Sequence, residues 1–168
     1  MPLLFSIITV TYNARKALER TLQSVGMQAY GEMEYLVIDG GSTDGTMERV
    51  ACWEAEVAEE RTRRGMKPMR CVTVSEPDRG LYDAMNKGLQ RATGDYVWFL
   101  NAGDTFRSPE TVAQLADVAE RNGRPDILYG ETDVTDSEGR FIAERRLKAP
   151  ETLTWRGFRT GMRVSHQA

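Results

Sequence analysis

The sequence predicts an α/β domain, a mostly parallel sheet flanked by helices, and three features carry that expectation. Apolar, β-branched runs alternate with segments of helical periodicity, the order that builds parallel sheets through crossover helices. Polar clusters follow the strand-like runs, and in open parallel sheets ligands sit beyond the carboxyl ends of the strands. The 168 residues, 40% hydrophobic and 28% charged, suffice for one domain with a buried core.

The elements follow in chain order. Leu3 to Thr11 (LLFSIITVT) has the continuous apolar character of a strand buried on both faces. A helix is expected from about Ala14, with Leu18, Leu22 and Val25 on one face. Glu34 to Asp39 (EYLVID) is a second buried strand ending in a carboxylate. The turn Gly40 to Gly45 (GGSTDG) offers a Ser or Thr to cap a helix through Met47–Arg64. Met69 to Val74 is a third strand, and Leu81 to Ala92 a helix with Leu81, Met85, Leu89 and Ala92 inward. Tyr96 to Leu100 (YVWFL) is a fourth strand. Ser108 and Pro109 suit the start of a helix burying Val112, Leu115, Ala116 and Ala119. Asp126 to Gly130 has the character of a fifth strand, and Asp136 to Gly139 that of a hairpin turn.

Composition closes off several classes. The longest apolar run is far short of the roughly 20 residues that span a bilayer. The N-terminal Met1 to Phe5 lacks the basic region and cleavage site of a signal peptide, so a cytoplasmic protein is expected. Cys52 and Cys71 stand alone and are expected as reduced thiols, and a single histidine, His166, rules out a His-rich metal cage. Seven Arg or Lys against two Glu give residues 140–163 a charge of +5; with the whole chain at −3, residues 1–139 sum to −8. Such an acidic body disfavours nucleic acid as a partner. The charged stretch Glu54 to Lys67 is expected as a solvated helix end.

The polar clusters at the strand ends describe a site. They are Thr11-Tyr12-Asn13, Asp39 to Ser42, Glu76 to Gly80, and Asn101 to Asp104. A dinucleotide-binding domain needs glycines directly after its first strand, and Thr11 to Lys16 contains none; no Gly-Lys-Ser/Thr occurs for a P-loop. An anion held largely through a metal remains. Asp104, just past a hydrophobic strand in a short Gly-containing loop, can hold Mg²⁺ or Mn²⁺ and bridge it to phosphate, although Asp also caps turns.

Taken in order, Thr9 to Asn13 (TVTYN), Val37 to Thr46 (VIDGGSTDGT), Ser75 to Gly88 (SEPDRGLYDAMNKG) and Gly94 to Asp104 (GDYVWFLNAGD) resemble the family 2 inverting glycosyltransferases, over about residues 3–131. The resemblance implies the GT-A fold, a nucleotide-diphosphate sugar donor of UDP or dTDP type, a divalent metal, and a glycan or lipid-linked acceptor. It divides the chain into a nucleotide-sugar-binding half, 1–104, and the start of an acceptor-side half, 105–168. By the same resemblance Thr11, Tyr12 and Asp39 line the base pocket, and Asp83 lies on the helix beside it. Asp83 also suits a solvated helix-surface acid.

The family's acidic motif usually carries Asp where Asn101 and Gly103 stand here, which leaves Asp104 as the metal ligand and Asn101 as a ribose or phosphate contact. Glu131, Asp133 and His166 are the candidates for the base, and His166 suits a metal or phosphate contact equally. A catalytically incomplete nucleotide-sugar-binding module is the alternative. Residues 140–163 interleave arginines with Leu147, Leu153, Trp155, Phe158 and Met162, a composition suited to peripheral contact with an anionic bilayer or to packing on the acidic body.

Overall fold

The computed structural model describes residues 1–136, 138–146, 148–151, 153, 154, 156, 159 and 164. Four strands, β1 (Phe5–Thr11), β2 (Met33–Asp39), β3 (Arg70–Ser75) and β4 (Tyr96–Phe99), form one parallel sheet in the order β3-β2-β1-β4. The crossovers are α1 (Arg15–Gly26), α2 (Thr46–Arg63) and α3 (Leu81–Leu89); α4 (Thr111–Arg121) follows β4. A separate antiparallel pair, β5 (Asp133–Thr135) and β6 (Phe141–Glu144), turns through Asp136 and Gly139, as the Asp136 to Gly139 sequence predicts.

β1 and β2 are buried at every position, which explains why both lack alternation. The sheet separates two apolar layers. On one face Phe5, Ile7, Tyr35 and Val37 pack with Leu18, Leu22, Val50, Trp53 and Val112 from α1, α2 and α4. On the other, Ile8, Val10, Leu36 and Ile38 meet Ala84 and Met85 of α3.

Several expectations are corrected. Asp126 to Gly130 forms no strand; its backbone borders a cleft and does not join the sheet. α3 ends at Leu89, and its inward face is Ala84, Met85 and Gly88, while Leu81 and Leu89 are exposed. The cause is Gly88, which lets the helix lie so close that an added Cβ would sit 2.5 Å from Ile8 Cγ2. Neither Ser42 nor Thr43 caps α2. The residue before it is Gly45 in a left-handed conformation, and Asp44 accepts from the Thr46 amide at 3.0 Å. Within the charged stretch after Glu54, Arg61 is fully buried and donates to the carbonyls of Lys67 and Gly31, fastening the end of α2 to the β1–β2 connection.

Candidate functional site

The site is built at the carboxyl rim of the sheet, where the parallel register places Thr11, Asp39 and Ser75 side by side on β1, β2 and β3. Asp39 is completely buried. Its Oδ2 accepts from the Gly41 amide (3.0 Å), the Ser42 amide (2.9 Å) and the Ser75 hydroxyl (2.6 Å), and its Oδ1 accepts from the Ser42 hydroxyl. A carboxylate with four donors can stay buried without a cation and fixes the turn after β2. Thr11, beside it, is 7% exposed and its hydroxyl has no partner among the described residues, a cost of about 1–3 kcal/mol unless a partner is supplied.

Tyr12 projects from this row at 64% exposure, its ring beside Gly40. A Cβ on Gly40 would lie 3.2 Å from Tyr12 Cδ2 and 2.7 Å from Asp78 Oδ2, so the aromatic ring and a second carboxylate flank a bare backbone. Asp78 belongs to the Glu76 to Gly80 cluster that the sequence marks, although nothing there singles it out from its neighbours. The β1–α1 and β2–α2 turns are joined through Asn13. Its amide donates to the Ser42 hydroxyl (2.7 Å) and its side-chain oxygen accepts from the Thr43 amide (2.8 Å). Asp44 extends the junction by accepting from the Arg15 amide, and the Thr46 hydroxyl with that amide holds its carboxyl below the usual range.

Asp83 stands in the first turn of α3, where its carboxylate accepts from the Arg79 amide at 3.0 Å and lies 3.7 Å from Lys87 Nζ. Lys87 also reaches Glu76 (3.1 Å) and the Pro77 carbonyl (2.9 Å), so this helix organises the loop after β3. Asn101 and Asp104 lie in the loop after β4, closed by an Asp104 amide to Asn101 carbonyl bond of 2.9 Å. Thr21 of α1 is tied to that loop, accepting from the Gly103 amide (2.9 Å) and donating to the Asp104 carbonyl (2.8 Å).

Next to this loop is a cleft of about 1060 Å³, whose lining includes Asp104, Trp98 and Phe106 together with Glu131, Thr132 and Asp133. The structure therefore brings two of the base candidates to the same cleft as Asp104. Glu131 accepts from the Ala149 amide at 3.2 Å, and Asp133 lies 3.4 Å from Arg107. His166 lies outside the described residues. Cys52 and Cys71 are both free, and burial pushes the Cys71 thiol up to about 11, which keeps it protonated and inert.

Comparison with known proteins identifies the class. The family model for glycosyl transferase family 2 matches residues 6–167, and the chain belongs to this family. Glycosyltransferase Rv1514c of Mycobacterium tuberculosis is 35% identical over 97% of this chain and 56% of its own length. The putative teichuronic acid biosynthesis glycosyltransferase TuaG of Bacillus subtilis is 35% identical over 90% of this chain and 55% of its own. Among solved structures, the mannosyltransferase PcManGT of Pyrobaculum calidifontis, in complex with GDP-Man and Mn²⁺, superposes with a TM-score of 0.60 at 26% identity, covering 80% of this chain and 36% of that one. S. aureus TarS 1–349 with UDP-GlcNAc gives 0.56 at 26% identity over 72% and 32%. The fold is GT-A. The chain spans about half the length of these relatives and about a third of these structures.

Proposed function

We propose that residues 1–104 bind the donor of an inverting glycosyltransferase, a nucleotide-diphosphate sugar of UDP or dTDP type, and that residues 105–168 begin the side facing a glycan or lipid-linked acceptor. The observation that carries this reading is the row Thr11–Asp39 with Tyr12 above it. The Thr11 hydroxyl, unpartnered among the described residues, and the exposed Tyr12 ring offer a pyrimidine base a hydrogen-bonding group and a stacking surface, and Asp39, with its four protein donors, holds the turn that shapes the pocket. PcManGT and TarS, as solved with GDP-Man and UDP-GlcNAc, support donor binding on this fold.

The donor set also suits the metal that this reading requires. Among the described residues no three His, Cys, Asp or Glu cluster into a closed cage. Mg²⁺ and Mn²⁺ shared with a diphosphate need only one or two carboxylates, and Asp104 beside the cleft supplies one. An ion held by Asp104 would offset the charge that grows on the departing diphosphate. Asn101 holds ribose or phosphate, and Asp83 keeps α3 and the Glu76–Gly80 loop against the nucleotide. A base at Glu131, Asp133 or His166 accepts the acceptor hydroxyl proton as that oxygen attacks the anomeric carbon from the face opposite the leaving group.

Calorimetry with UDP, dTDP, GDP and ADP, with and without Mn²⁺, tests the donor assignment. Binding should favour the uridine and thymidine nucleotides and tighten with metal. Asp39→Ala should weaken it by roughly 1–3 kcal/mol, and Asp39→Asn by less. Equal affinity for UDP and ADP would overturn the base assignment. A second reading, donor binding without turnover, is favoured by the prior engagement of both described base candidates, Glu131 and Asp133. Nucleotide binding without nucleotide release in the presence of glycan and lipid-phosphate acceptors would select it.

A further inference from the structure

One buried face of α1, continued just past its end at Gly26, carries polar side chains where an amphipathic helix would place apolar ones. Thr21, Ser24 and Gln28 stand at i, i+3 and i+7, and Thr21 and Gln28 are 0% and 1% exposed. Each is used on the segment after β4. Gln28 donates to the Ser108 carbonyl (2.8 Å) and accepts from the Val112 amide (3.2 Å), and the Ser24 hydroxyl accepts from the Phe106 amide (2.7 Å). Thr21 accepts from Gly103 N–H and donates to the Asp104 carbonyl. The two groups it holds belong to the peptide units on either side of the Gly103–Asp104 pair. Gly103 has φ +103°, a conformation that other residues rarely adopt, and the Thr21 hydroxyl ties the loop on both sides of the Gly103–Asp104 pair.

We infer that Thr21 is a positioning residue that aims the Asp104 carboxylate at a divalent cation bound with the donor diphosphate. This rests on the reading of Asp104 as that ion's ligand. A hydroxyl suits the task because it donates and accepts at once. Removing it leaves an amide and a carbonyl without partners, and the carboxylate they orient loses its fixed direction.

The test measures nucleoside diphosphate affinity by calorimetry, with and without Mn²⁺, on the wild type, Thr21→Val, Thr21→Ser and Asp104→Ala. The ligand is whichever of UDP, dTDP and GDP the wild type binds most tightly. Thr21→Val should lose about tenfold or more of the Mn²⁺-dependent gain in affinity, the scale of a lost outer-shell partner, with metal-free affinity unchanged. Thr21→Ser should restore it. If Thr21→Val does not fold, as judged by its thermal melt, Thr21→Cys keeps the volume with a weaker donor and is read by the same criteria.

Full metal gain in Thr21→Val, alongside its loss in Asp104→Ala, overturns the positioning role and leaves the Asp104 assignment intact. Equal weakening with and without metal overturns it as well, because the effect is then structural. Metal gain persisting in Asp104→Ala, or no nucleotide binding by the wild type, overturns the underlying reading and the inference with it.

Discussion

Glu34 shows how much one side chain can hold when its partners come from three places in the chain. It is 1% exposed on β2 and accepts from the Ser6 hydroxyl (2.5 Å), the Thr93 amide (2.6 Å) and the Thr93 hydroxyl (2.9 Å), and it pairs with Arg70. Burial pushes its carboxyl up, but these bonds outweigh burial and hold it below the usual value of 4.5. A folded-state value below the unfolded one gives stability that is complete above pH 4.5 and is lost as pH falls through the folded value. Urea titrations at pH 7 and at steps below 4.5 should show this loss in the wild type and a flatter profile in Glu34→Gln. At pH 7 that variant should be less stable by about 1–3 kcal/mol, since buried donors lose their best acceptor. Among single residues, Asp39 is legible in the sequence because a carboxylate ending an apolar run is conspicuous. Glu34 and Thr21 are not, and Asp78 only as one member of a polar cluster, because their roles depend on partners that lie far away in sequence or on packing around Gly40.

Elements were more legible than their orientations. The four parallel strands and their helices follow from apolar runs and helical spacing, with bounds within about two residues for the strands. α3 shows where that reasoning fails. Leucine spacing selects Leu81 and Leu89 as inward, yet the small residues face the sheet, because backbone proximity there contributes more packing than a longer side chain held further off. Gly88→Ala tests this. Its Cβ would meet Ile8 Cγ2 at 2.5 Å and Ile38 Cγ1 at 3.2 Å, and the clash should outweigh the better helix propensity of alanine by about 1 kcal/mol or more. Because α3 carries Asp83 and Lys87, the same variant should also weaken nucleotide binding, while a lower melting temperature alone would show that the rim adjusts to the shift. The strand expected at Asp126 to Gly130 failed differently. A short apolar run bounded by turn residues gives a strand only where an edge receives it, and this segment borders the cleft instead.

At the scale of the whole chain, charge divides the molecule more sharply than structure does. Residues 140–163 carry +5 against −8 for residues 1–139, and Phe141 and Ile142 are 62% and 61% exposed next to Arg140 in the sequence. No helix among the described residues is long and apolar enough to cross a membrane. Sedimentation with vesicles containing anionic lipid should pull the protein down at low salt and release it at moderate salt. Neutral vesicles should leave it in solution. Indifference to lipid charge would assign the basic stretch to packing on the acidic body.

β4 carries one more implication, for how the protein behaves in a test tube. Among the described residues it pairs with β1 alone, so Tyr-Val-Trp-Phe, four uncharged residues of high strand propensity, forms a margin of the sheet with Val97 36% exposed. Such a margin is a template for further strands, and nothing in its own sequence repels a second copy. Solutions of the isolated chain should therefore scatter more light as they are concentrated, and binding measurements belong at low protein concentration, where self-association does not masquerade as weak affinity.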